Sequence, residues 1–259
     1  MEERPSEFVQ SLERGLSVIK AFDGDHPELT LSEVAARTGL TRAAARRFLI
    51  TLESIGYVRS HDRRFSLRPA VLELAHSYLS SMDLPEIAMP HLESLAAQVQ
   101  AASSVSVLDR RDIVYVARVA TKRIMSVNIN VGTRFRAAAT SMGRAILAFL
   151  PEAELDKQLE NLTLEKSTPY TITGLGALRE ELDRVRDQGW CLLDQELEVG
   201  LRALAAPIRD ASGYPVAAIN VSVPLLAQSV EEIQANFLEP VLRRAGAIEQ
   251  DLRATGFTR

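Results

Sequence analysis

A single cysteine, Cys191, stands in 259 residues, so no disulfide can close within the chain, and the composition fits a reducing, cytoplasmic compartment. No run approaches the roughly 18 consecutive apolar residues that a membrane-spanning helix needs. The opening Met1-Glu2-Glu3-Arg4-Pro5 is acidic where a secretory leader would be basic and then apolar. The four histidines, His26, His61, His76 and His91, are widely separated, with no pair four apart and no flanking cysteine. Metal binding is therefore not expected. A phosphate-cradling GxGxxG, a Walker loop and a GxSxG elbow are all missing, so neither a cofactor nor a catalytic nucleophile is expected. Glu196 and Glu198, either side of Leu197, read as a loop or interface pair and not as a general acid/base couple. Nothing here marks an enzyme.

What is present is an ordinary globular balance, 46% hydrophobic and 25% charged, which excludes disorder as the main state. The net charge of -4 is unevenly spread. Between Arg37 and Arg68 lie eight arginines against two acids, Glu53 and Asp62, a local balance of +6 that leaves -10 for the remainder. An acidic protein with one basic window has the electrostatic footprint of a nucleic-acid reader joined to a second domain. A solvated basic face is the alternative, and 26 arginines against four lysines carry no weight on their own.

Hydrophobic spacing predicts a first helix over Ser11–Phe22, with Leu12, Leu16, Ile19, Val18 and Phe22 inward. Two helices with a tight break follow in Leu31–Ile55, the first capped by Ser32. A hairpin follows, its strands flanking Ser60-His61-Asp62-Arg63. Ala70–Met82 is helical and too apolar for an isolated linker, so it is expected to pack on a partner. A helix near Leu84–Val99 precedes strands around Val105, Ile113–Val116 and Val127–Val131. Helices are then expected at Ser141–Leu150, Glu152–Asn161 and Leu175–Gln188. Strands at Trp190–Leu193, Leu204–Arg209 and Ala217–Val223 precede a terminal helix from Ser229 to Leu252, bent at Pro240. The expected class is α+β: a winged helix-turn-helix over 1–69, a linker helix over 70–83 and a mixed α/β domain over 84–259.

LSEVAARTGLTRAAARRFLI, residues 31–50, carries the requirements of a helix-turn-helix. Ala35 is the small residue at the helix crossing, and Gly39 tolerates the left-handed turn. Val34, Leu40, Ala45 and Phe48 fall where the core must be apolar. In that register the second helix turns Thr41, Arg42, Ala43, Arg46 and Arg47 outward. Arg42 and Arg46 are assigned to base edges, Thr41 and Arg47 to phosphates, and Arg63 and Arg64 to a wing on the DNA backbone or minor groove. A winged helix used only for protein contact would explain the core spacing but not the basic outward face.

SLERGLSVIKAF, TLSEVAARTGLTRAAARRFLITLESIGYV and GWCLLDQELEVGLRALAAPIRDASGYPVAAINVSVP together resemble the IclR family of bacterial transcriptional regulators. Gly189, Glu196, Ala203, Leu204 and Asp210 sit where the family's C-terminal signature expects them, and Leu193 departs from its usual Asp or Ser. FVQSLERGL, SSVSVLDRRDIVYVARV and RIMSVNINVGTRFRAAATSMGRAIL are most similar to its regulators of protocatechuate, 4-hydroxybenzoate and β-ketoadipate catabolism. The resemblance implies a GAF-like effector domain, assembly as homodimers or homotetramers, and DNA and a small organic acid as partners.

Read from the residues alone, Gly132-Thr133-Arg134 leads into a helix starting near Ser141, whose N-terminus could hold a carboxylate with Arg134 as a clamp. A capped surface helix with solvated arginines is the other reading. The resemblance implies a pocket at Ser141, Met142, Leu193, Leu201, Ala203, Asn220 and Ser222. Asn220 and Ser222, two apart on a strand, share one face, and buried polar groups there need partners that an acid would supply. Met142 and Leu193 favour an aromatic or longer-chain ligand. The competing reading is a small-molecule-binding enzyme or sensor with a winged helix used only for dimerisation.

Overall fold

The structure, a computed structural model, describes residues 7–79, 83–120, 129–225 and 227–255. The chain divides into two compact units, Met1–Ser81 and Met82–Arg259.

The first unit opens with α1 (Gln10–Lys20), strand β1 (Glu28–Thr30), α2 (Leu31–Thr38) and α3 (Arg42–Ser54). The hairpin β2 (Val58–His61) and β3 (Arg64–Leu67) precedes α4 (Val71–Leu79). Val18, Val34, Ala45, Leu49 and Val58 are fully buried at its centre. Gly39 ends α2 at φ +68°, a left-handed C-cap that a residue with a Cβ would strain to adopt. The start of α2 differs from expectation. Thr30, not Ser32, is the cap: its hydroxyl accepts the Glu33 N–H while the Glu33 carboxylate accepts the Thr30 N–H, a reciprocal capping box. Those hydrogen bonds hold the Glu33 carboxyl below its ordinary pKa. The hairpin turn is also tighter, since only Asp62 and Arg63 are left outside the ladder, with φ of 47° and 63°. Positive φ at both positions matches the right-handed twist of the strands. β1 was not expected; it completes an antiparallel sheet of order β1-β3-β2. In α1, Val18 is buried but Leu12 and Leu16 are 63% and 41% exposed, so the expected inward face holds only at its C-terminal end.

The second unit begins with α5 (Leu84–Val99), β4 (Ala102–Asp109), β5 (Asp112–Val119) and β6 (Arg134–Arg136). A 3-10 turn at Ala137–Ala139 leads into α6 (Ser141–Leu147), followed by α7 (Glu152–Leu159) and α8 (Leu175–Gln188). β7 (Cys191–Asp194), β8 (Leu201–Arg209), β9 (Pro215–Pro224) and α9 (Val230–Ala254) complete it. Six strands form one antiparallel sheet of order β6-β5-β4-β9-β8-β7. α5 and α9 bury one face of the sheet, through residues such as Leu92, Leu95, Ile233 and Ile248. On the other face α6 and α8 pack on Ile113, Tyr115, Cys191 and Ala205. No described helix is long and apolar enough to cross a membrane. The strand expected at Val127–Val131 lies elsewhere. Val127 is outside the described residues, Ile129–Val131 are irregular, and Arg134–Arg136 supplies the edge strand by pairing with the start of β5.

All seven residues of α6 are buried. Gly143 permits this, because a Cβ there would lie 2.1 Å from the Ala137 carbonyl oxygen. Gly143→Ala must push the 3-10 turn away and should destabilise the second unit by about 3 kcal/mol or more. Gly246→Ala, on an exposed turn of α9 with open space around it, should stabilise by up to about 1 kcal/mol. Urea denaturation of both variants checks the contrast.

Candidate nucleic-acid interface and ligand pocket

α3 is anchored by Ala45, Leu49 and Leu52 on its buried side. Thr41 caps it, its hydroxyl accepting the Ala44 N–H at 3.2 Å. The opposite side presents Thr41, Arg42, Ala43, Arg46 and Arg47 to solvent. Ion pairs in this unit, among the described residues, join Asp23 to His26, Asp23 to Arg37 and His61 to Asp62. None reaches Arg42, Arg46, Arg47, Arg63 or Arg64. Of the basic window, therefore, only Arg37 is neutralised, by Asp23 at 2.5 Å. The two acids in that window are both occupied: Asp62 faces His61, and the Glu53 carboxylate accepts both the N–H and the hydroxyl of Ser60, tying α3 to the hairpin. Arg63 at the tip and Arg64 at the start of β3 are exposed. The arrangement can reach phosphates and base edges without first breaking an internal ion pair.

In the second unit a small cavity of about 20 Å³ lies between α6 and the sheet. Seven of the eight residues expected at an effector site line it: Ser141 and Met142 from α6, Leu193 from β7, Leu201 and Ala203 from β8, and Asn220 and Ser222 from β9. Asn220 is 3% exposed, its Nδ2 donates to the Ser222 hydroxyl at 3.2 Å, and its Oδ1 is buried without a partner. Met142 lines the cavity from α6, its sulfur accepting the Ser106 hydroxyl at 3.3 Å.

Arg134, the eighth, is not there. It sits on the edge strand β6, where Asp109 at 2.7 Å and Asp112 at 3.4 Å hold it. Those two acids flank the Arg110-Arg111 turn, close in sequence to each other but distant from Arg134, so the pairing is visible only once β6 is registered against β5.

Residues not anticipated at the cavity are Tyr115, Ile129, Glu196 and Leu197. Burial pushes the Tyr115 phenol up to about 12, partly opposed by nearby Arg118. Glu196 lies in the loop between β7 and β8, as expected, but it turns inward onto a buried partner. Its carboxylate accepts both Nη atoms of Arg144, at 2.8 and 2.6 Å, and the Ile172 N–H at 3.1 Å. Arg144 is 1% exposed, and its Nε donates to the Ala138 carbonyl at 2.8 Å. Only the spacing of a lone arginine in an otherwise small and apolar helix could have signalled this pair. Cys191 is fully buried, which pushes its thiol up to about 12 and keeps it protonated and unreactive.

A larger cleft of about 150 Å³ opens on the far side of Leu197, floored by Phe135, Leu159, Leu162 and Ile172. Its two arginines are already engaged, Arg111 by the Glu160 carbonyl and Arg136 by Asp112 at 3.1 Å. No unpartnered buried side-chain atom lines it, whereas Asn220 lines the smaller cavity, and on that ground the smaller one is the candidate site.

Arg144→Met leaves the Glu196 carboxylate half-buried without its cation and should destabilise the second unit by about 3–5 kcal/mol. Arg144→Met with Glu196→Leu should recover a large part of that loss, both read by urea denaturation.

Comparison with known proteins agrees with this geometry in both units. Residues 11–62 match the IclR helix-turn-helix domain, and residues 76–250 match the bacterial transcriptional regulator IclR C-terminal domain. The Pca regulon regulatory protein of Pseudomonas putida is 43% identical over 240 residues, 92% of this chain and 82% of that protein. A solved structure of a transcriptional regulator from Rhodococcus sp. RHA1 superposes with a TM-score of 0.85 at 53% identity, covering 96% of this chain and all of that one. An IclR homologue from Microbacterium hydrocarbonoxydans, solved with 4-hydroxybenzoate, superposes at 0.82 with 26% identity, over 94% of this chain and 99% of that one.

Proposed function

The chain belongs to the IclR family of bacterial transcriptional regulators, and from that premise we propose that it is a cytoplasmic, non-enzymatic regulator of an aromatic-acid catabolic operon whose second unit binds a small organic acid. The observation that carries the DNA-binding half is the unneutralised arginine face of α3. Arg42 and Arg46 read base edges, Thr41 and Arg47 hold phosphates, Ala43 lets the helix approach, and Arg63 and Arg64 form the wing. Protocatechuate, 4-hydroxybenzoate or β-ketoadipate is the effector class. The Pca regulon name of the Pseudomonas relative and the 4-hydroxybenzoate in the Microbacterium homologue support that class.

A cavity of about 20 Å³ holds one water molecule, whereas an engineered cavity of about 150 Å³ accommodates a benzene ring. Acid binding therefore selects a more open state of the pocket, in which Met142 and Leu197 move aside. The effector acts through the difference in its affinity for the closed and open states.

The active form is a homodimer or homotetramer. Leu12 and Leu16 on α1 and Leu72, Leu74 and Tyr78 on α4 are large apolar side chains left 41% to 68% exposed, grouped on two short helices. A second copy covers them, and a two-fold pair of α3 helices then meets two operator half-sites.

Mobility shift on the upstream DNA tests the reading. With six to eight phosphates contacted, the logarithm of affinity should fall with the logarithm of salt at a slope of about -5 to -7. A flat response would favour a winged helix used only for dimerisation. Arg46→Ala should weaken binding by about 1–3 kcal/mol and relax preference at one base pair, whereas Arg47→Ala should weaken all sequences alike.

A further inference from the structure

The pocket as described has hydroxyls, an amide, apolar walls and the Glu196 carboxylate, and the cation on its own helix, Arg144, is already engaged by that carboxylate and by the Ala138 carbonyl. A carboxylate placed there needs a positive partner with donors to spare. The sheet supplies one. Between Val105/Ser106 of β4 and the facing part of β5 the register slips: Val105 pairs with Ala117 but Ser106 with Tyr115, leaving Val116 as an extra residue. Simple alternation would put Arg118 on the opposite face from Tyr115. The bulge reverses that, so Arg118 shares the sheet face of Tyr115, next to the cavity and not in its present wall.

There Arg118 lies opposite Ser104, and Ser104 lies opposite Asn220, forming a polar row across three neighbouring strands. The Arg118 Nη1 donates to the Ser104 hydroxyl at 3.0 Å, and Ser104 is 1% exposed. Arg118 Nε at one end of the row and Asn220 Oδ1 at the other are both buried without a partner. No carboxylate among the described residues pairs with Arg118. Desolvation holds its pKa below the ordinary arginine value, partly opposed by the nearby Tyr115 phenol.

We propose that Arg118 is the anion anchor of the pocket, taking the carboxylate of the bound acid and selecting acids over neutral analogues of the same shape. The proposal rests on the ligand reading given above. The ring or chain of the acid then runs along the row toward Asn220, whose unpartnered amide oxygen meets a hydroxyl at the far end. Hydroxy-substituted acids are thus the class that satisfies both orphaned atoms.

The test is titration calorimetry on the full chain with 4-hydroxybenzoate, protocatechuate and β-ketoadipate, and with 4-hydroxybenzamide and 3,4-dihydroxybenzamide as neutral comparators. Wild type should bind at least one acid, and bind an aromatic acid about tenfold or more tightly over its amide. Arg118→Gln should abolish that preference, lowering acid affinity about tenfold or more while amide affinity changes less than about twofold. Arg118→Lys should fall between, and Arg134→Gln should bind like wild type. Circular dichroism and melting of each variant separate a folding defect from a binding one. If Arg118→Gln does not fold, the wild-type ratio decides: equal affinity for acid and amide overturns the anchor. So does a parallel loss of both ligands in a folded Arg118→Gln, or no loss of either. A wild-type chain that binds none of the three acids overturns the ligand reading itself, and the anchor with it.

Discussion

The second unit is organised by the burial of one charge. Arg144 occupies the middle of a seven-residue helix with every side chain inside the fold, and an arginine there is tolerated only with its donors filled. Each of its three nitrogens has a partner, both Nη atoms on the Glu196 carboxylate and Nε on the Ala138 carbonyl. The consequence runs in two directions. Toward the chain before it, the pairing fixes the 3-10 turn that Gly143 presses against. Toward the chain after it, the pairing fixes residues 195–200, because the Glu196 carbonyl accepts the Thr171 hydroxyl at 2.7 Å and its carboxylate the Ile172 N–H. The roof of the pocket is thus held from α6, the same helix that contributes Ser141 and Met142 to its wall.

The first unit solves the opposite problem. Its arginines must stay exposed and uncompensated to meet phosphate, so the acids nearby are diverted. Asp23 takes Arg37 and His26, Glu53 takes Ser60, and Glu33 closes the cap of α2. Each of these pairings stiffens a junction of the fold while leaving α3 without a neutralising partner. A binding surface that is preorganised and unpaired loses little ordering entropy on meeting its partner. Acidity confined to the rest of the chain keeps nonspecific attraction to nucleic acid low.

Much of this is legible in the amino-acid sequence. The helix-turn-helix is, because its constraints are local: Ala35, Gly39 and the apolar positions lie within twenty residues, and the outward arginines follow from helical period. Seven of the residues that line the pocket follow from the family resemblance, and for Asn220 and Ser222 the two-residue spacing on one strand adds that they share a face. What failed was non-local or aperiodic. Arg134 was placed at the pocket because it precedes α6, but registration of β6 with β5 carries it to the acids of the Asp109–Asp112 turn. Glu196 is legible as a loop residue, but its ion pair is not, because its partner is 52 residues away. Arg118 was passed over because a two-residue period is the only guide a sequence offers in a strand, and one bulge inverts it. Ser32 lost the cap of α2 to Thr30 because β1, a three-residue strand invisible to hydrophobic patterning, brings Thr30 to the helix start.

Bulge, bridge and closed cavity together suggest how a signal would leave the pocket. An acid large enough to carry a ring cannot enter a cavity of about 20 Å³ with Met142 in its wall, and Met142 lies only two residues from Arg144 on α6. Displacing Met142 therefore strains the same short helix that pins the roof. Close-packed interiors have few intermediate arrangements, so such a displacement resolves into one of two packings and not into a graded shift. A methionine is suited to that place, being unbranched and able to fill either arrangement with little penalty. The binding free energy available for switching is then the part the acid gains only in the open packing. Mostly apolar walls, with the two unpartnered atoms of the Arg118–Asn220 row beside them, make that part large for acids of matching length and small for shorter ones.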